Sequence, residues 1–189
     1  MNRLLIILNN GYLHSFYSSS YDSKQLNYEG KEKMPYKNKR DIYEFILYML
    51  NTCEGDFSNI SFICGKQKSN IFPIIAEIVA EKNLPPVAIY SLPYMLPQFC
   101  RKMNIPNNYR ISISFEGEIW LVEKNTVTPI QQSNSPCYLN TRQIAELFFA
   151  KDPDTSDNYE ADSSSDESSP LGELAQFVLS SAVQPRSKK

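Results

Sequence analysis

The apolar positions of this chain follow two rhythms, short continuous runs and helical stripes. Arg3–Leu8 (RLLIIL) is a continuous run, which predicts a strand buried on both faces. Asn9-Asn10-Gly11 then marks a tight turn, because Asn and Gly accept positive φ. Tyr12–Ser18 (YLHSFYS) is expected to return as an antiparallel strand. Ser19–Lys39 is polar and rich in tyrosine and lysine, with a third strand expected near Gln25–Tyr28 and a flexible loop after it. Asp41–Asn51 places Ile42, Phe45, Ile46, Met49 and Leu50 at helical spacing.

The stretch from Asn59 to Leu92 organises the rest. Ile60–Cys64 is a short apolar run that stops at Gly65, and Gly65–Asn70 is a polar turn. Ile71–Lys82 reads as a helix with Pro73 in its first turn, where a missing N–H costs little. Asn83–Pro86 stops it, and Val87–Tyr90 is a second apolar run. This order predicts a βαβ unit with parallel strands. Ile71, Phe72, Ile74, Ile75, Ala76, Ile78, Val79 and Ala80 wrap most of the helix, where an ordinary surface helix has one stripe. Such a helix needs cover on two sides, supplied either by the rest of the chain or by a partner protein.

Beyond it, Pro93–Asn104 (PYMLPQFCRKMN) predicts a broken helix, and Tyr109–Ser114 and Glu118–Val122 flank Phe115-Glu116-Gly117 as a hairpin. Thr141–Phe149 predicts a short helix with Ile144, Leu147 and Phe148 on one face. Lys151–Ser169 holds seven acids, one lysine and many serines, and its composition predicts disorder. Ser169-Pro170 then opens an amphipathic helix carrying Leu171, Leu174, Ala175, Val178, Leu179 and Ala182. That helix either docks back or is a tethered peptide for a partner. The expected organisation is a domain over 1–150, an acidic linker over 151–169, and a helix with a basic end over 170–189.

Charge and chemistry narrow the function. The net charge is −2, but residues 1–150 hold 15 Lys/Arg and 13 Asp/Glu, so the expected domain is near neutral and lacks the charge of a dedicated nucleic-acid binder. The basic run Lys31, Lys33, Lys37, Lys39 and Arg40 reads first as a solvated loop, and otherwise as a weak contact for RNA phosphates or an acidic partner. Cys53, Cys64, Cys100 and Cys137 form no C-x-x-C pair, so no zinc site is indicated. Free thiols and the lack of a transmembrane run or signal sequence lead to a cytoplasmic expectation. His14 is the one histidine, and no nucleophile or acid motif accompanies it. No Walker loop or G-x-G-x-x-G occurs. The expectation is therefore a non-enzyme with no catalytic, cofactor or metal residues. Gly65–Asn70 keeps some capacity to offer N–H groups to an anion at a helix start.

Residues 60–92 resemble the TsaB (YeaZ) family, accessory subunits in making threonylcarbamoyladenosine in tRNA. That family has a strand, a GPGSFTG-type loop, a helix and an N-I-P-L-V-G-V-S-S-L segment. Here Asn83-Leu84-Pro85-Pro86-Val87-Ala88-Ile89-Tyr90-Ser91-Leu92 stands in the last place, and Ile60–Gly65 matches the strand entering the loop. The loop itself is about four residues short and keeps one glycine. Gly117-Glu118-Ile119-Trp120 is similar to the family's later G-E-V-Y, although its D-A-R segment is absent. The likeness spans roughly residues 3–125.

The resemblance implies an α/β, actin/Hsp70-like (ASKHA) subdomain: a mixed sheet, an N-terminal β-hairpin, the βαβ unit and a truncated C-terminal lobe. Leu8, Asn9 and Asn10 stand where the family has Asp, Thr and Ser, and the missing acid argues against nucleotide chemistry. By resemblance, the partner is a TsaD-like catalytic paralogue, with a TsaE-like ATPase in the assembly and tRNA reached only through the complex. The supported reaction would be threonylcarbamoyl transfer to adenosine 37 of tRNA. Homodimerisation is a further option, since the same helices serve both pairings in that family. The expected interface residues are Ile42, Phe45, Ile46 and Met49 on one helix, and Phe72, Ile75 and Val79 on the other. Two alternatives stay open: a vestigial phosphate- or nucleotide-binding relative using Gly65–Asn70, and a repurposed interaction factor using the acidic tail and last helix.

Overall fold

The computed structural model describes residues 2–18, 28–53, 57–65, 71–106, 108–150 and 170–180. The loop 66–70, the start of the expected third strand at 25–27, the linker 151–169 and the basic end lie outside them. The described chain divides into two compact units, Met1–Leu92 and Pro93–Lys189. The sequence reading treats 1–150 as one body. No composition shift marks the division, because one element follows another at Ser91/Leu92 without a linker.

The first unit is a five-stranded mixed sheet. Its strands are β1 (Asn2–Asn9), β2 (Tyr12–Ser18), β3 (Tyr28–Pro35), β4 (Phe57–Cys64) and β5 (Val87–Ser91), in the order β3-β2-β1-β4-β5. β1, β2 and β3 form an antiparallel meander, while β4 and β5 run parallel to β1. Helices α1 (Lys39–Thr52) and α2 (Ile71–Glu81) make the crossovers. The run RLLIIL occupies the central strand, and Leu4, Leu5, Ile6 and Ile7 are all fully buried, as a strand covered on both faces requires. Asn10 and Gly11 take φ of 48° and 77° between the paired Asn9 and Tyr12, the two-residue primed turn that suits a twisted hairpin.

The third strand corrects the sequence expectation. It lies later than Gln25–Tyr28 and runs through the lysine-rich segment expected as a loop. It is an edge strand, and alternating Lys and Glu with a closing Pro suit an edge that must not pair further. A bulge between Ser15 and Phe16 adjusts the register. There the Ser15 hydroxyl accepts from the Glu32 N–H at 3.2 Å and donates to the Met49 sulfur at 3.2 Å.

Helix α1 starts at a capping box. The Asn38 side chain accepts from the Asp41 N–H at 3.1 Å, and the Asp41 carboxylate accepts from the Asn38 N–H at 3.2 Å. Ile42, Phe45, Ile46 and Met49 from α1 and Ile71, Ile75 and Ile78 from α2 pack on one sheet face, against Leu4, Ile6, Leu8, Leu13, Ile60, Phe62 and Cys64.

The second unit begins with α3 (Leu92–Lys102), a continuous helix where the sequence predicts a broken one. Pro97 removes one backbone donor, but the helix carries on through it. A four-stranded sheet follows, built from β6 (Arg110–Phe115), β7 (Glu118–Glu123), β8 (Thr126–Ile130) and β9 (Cys137–Tyr138), in the order β8-β7-β6-β9. Glu116 and Gly117 form the expected hairpin turn, with φ of 54° and 78°. Helix α4 (Thr141–Phe149) matches its predicted bounds and carries an Asn140/Gln143 capping box with both bonds at 2.9 Å. Helix α5 (Pro170–Ser180) packs on α4, so the docked reading of the last helix holds.

The far end of α4 has its own cap. The Lys102 ammonium donates to the carbonyls of Leu147 (3.0 Å), Phe148 (3.2 Å) and Ala150 (2.7 Å). These acceptors have no later turn to bond with, and the helix dipole favours a cation there. Lys102→Met is expected to destabilise the protein by about 1–2 kcal/mol, read as a lower urea midpoint with an unchanged slope.

Candidate functional site

The first candidate surface is the outward side of α2. Of the seven predicted interface residues, Ile42, Phe45, Ile46, Met49 and Ile75 are at most 1% exposed in their own unit's core. This corrects the expected interface, because these five side chains already hold the helices to the sheet. Phe72 is half-buried and Val79 is 38% exposed. Ala76 and Ala80 are exposed beside them, and positions 72, 76, 79 and 80 fall on one helix face. The two alanines were missed as site residues because small side chains add little to an apolar pattern. Their signal was the all-round apolar composition of the helix.

A charged rim borders this face. The Lys39 ammonium donates to Glu77 Oε2 at 3.1 Å and to Glu81 Oε1 at 2.6 Å, linking the start of α1 to α2. The hydrogen bond to Glu81, then that to Glu77, raises the Lys39 pKa, and Lys39 lowers that of Glu81. All three are solvent-facing, so the bridge orients the helices more than it stabilises them. Lys82 adds a second link, its ammonium 4.8 Å from the centroid of the Tyr43 ring.

The second candidate is the C-terminal edge of the first sheet. Leu8, Cys64 and Ser91 stand in one row across β1, β4 and β5. Asn9 Oδ1 and Ser91 Oγ are buried and lack hydrogen-bond partners among the described residues. Ser91 directly precedes α3, where a hydroxyl would normally cap the helix. Residues 66–70 of the expected anion loop lie outside the described residues. Among those described, no group of three or more His, Cys, Asp or Glu is placed to hold a metal ion.

Burial pushes the Cys100 thiol up to about 12 and the Cys137 thiol up to about 11, which leaves both protonated and unreactive at neutral pH. Glu123 pairs with Arg110 at 3.4 Å across the β6–β7 hairpin. No helix among the described residues is long and apolar enough to cross a membrane.

The first sheet is an antiparallel β3-β2-β1 meander extended by parallel β4 and β5 through helical crossovers, within a mixed α/β chain of two sheets. No protein-family model matches the chain, and no curated protein matches it. Among solved structures, it is similar to the ethanolamine utilization protein EutJ from Carboxydothermus hydrogenoformans, at 10% identity and a TM-score of 0.43, over 68% of this chain and 50% of that one. It is also similar to the Ppx/GppA phosphatase of Aquifex aeolicus, at 8% identity and a TM-score of 0.43, over 78% of this chain and 60% of that one. A Bacteroides thetaiotaomicron protein with an actin-like ATPase fold and unknown function is a third, at 10% identity and a TM-score of 0.43, over 94% and 88% of the two chains. The chain thus spans 50% and 60% of the first two structures.

His14 supplies a pH test of the first sheet. Burial, then the charge of Lys33, lowers its pKa below the ordinary 6.5. The unfolded chain therefore binds the proton more readily, and stability falls as pH drops from 6.5 towards the folded value. Thermal melts between pH 7.5 and 5.5 should show this decline, and His14→Gln should flatten it.

Proposed function

We propose that this chain is a non-catalytic subunit that pairs with a TsaD-like catalytic paralogue, and that it supports threonylcarbamoyl transfer to adenosine 37 of tRNA. The observation that carries the reading is the two-sided apolar character of α2. Ile71, Ile75 and Ile78 are buried on the sheet, while Phe72, Ala76, Val79 and Ala80 form a second apolar face that reaches solvent. Small side chains on that face permit close approach of a second helix, and the Lys39–Glu77–Glu81 rim offers charges to align it. Leu8 stands where the resemblance places an acid, which supports a role without chemistry of its own. A TsaE-like ATPase and tRNA would join through the paralogue.

A second reading is favoured by Asn9 Oδ1 and Ser91 Oγ, two buried polar atoms at the sheet's C-terminal edge. It is a vestigial phosphate- or nucleotide-binding site. Titration with ATP or inorganic phosphate, against Ser91→Ala as control, tests it directly.

The first reading is tested by co-purification with the TsaD-like paralogue of the same organism. Wild type should form a stable complex, and Ala76→Glu with Val79→Glu should weaken it at least ten-fold with little change in melting temperature. Ile75→Glu is not a useful probe, since a charge at a fully buried position would unfold the unit. A well-folded wild type that forms no complex overturns the reading.

A further inference from the structure

We draw no further inference here: the strongest candidate, the polar patch of Tyr12, His14 and Lys33 on the face of the first sheet opposite α1 and α2, with the Lys33 ammonium 4.2 Å from the Tyr12 ring centroid, adjoins Asn9 and so belongs to the site already described at that sheet's C-terminal edge.

Discussion

Side chains packed against one face of the β1–β4 pair hold the first unit together. Leu4, Ile6 and Leu8 from β1 alternate with residues buried on the opposite face, and Ile60, Phe62 and Cys64 continue the same surface on β4. Both crossover helices must lie on this surface, since it is the one their stripes join. Fully burying each aliphatic or aromatic side chain contributes roughly 1.5–3 kcal/mol, so the stripe of α1 is among the largest local contributions to stability. That commitment decides what remains for function. α1 has its apolar stripe in the core, whereas α2 has enough apolar residues to fill the core and still face outward.

The sequence made the elements legible because their signals are local. The continuous run of β1, the Asn10-Gly11 turn, the helical stripe of α1 and the α4 stripe each depend on a few adjacent residues. β3 was displaced in the reading because an edge strand with alternating charges looks like a loop when the partner strand is unknown. β8 contains Pro129 and is mostly exposed, and β9 is two residues long, so neither carries an apolar rhythm. The split at Leu92/Pro93 leaves no trace in composition, because β5 passes directly into α3.

The candidate interface was half legible for a related reason. Positions i, i+3, i+4 and i+7 look the same whether a helix packs on its own sheet or on a partner. Ile42, Phe45, Ile46 and Met49 satisfy that pattern and belong to the core. What distinguishes α2 is an excess over the pattern. The sheet contact uses Ile71, Ile75 and Ile78, with Phe72 and Ile74 packed partly against the same core, which leaves Ala76, Val79 and Ala80 facing outward. Counting apolar positions beyond those one face can hold is thus more informative than locating the stripe.

The sheet's C-terminal edge poses the converse problem, polar atoms where apolar ones would cost less. A buried group left without a hydrogen bond costs about 1–3 kcal/mol, and Asn9 Oδ1 and Ser91 Oγ lie at the ends of β1 and β5 on the same edge. Their chemistry differs from that of an acid pair. A neutral amide and a hydroxyl hold a divalent cation weakly compared with carboxylates, but they hydrogen-bond neutral or anionic groups without charge repulsion. At this edge the two atoms offer hydrogen bonds rather than charge. The distinction follows from the side chains themselves and applies whether or not α2 meets a catalytic partner.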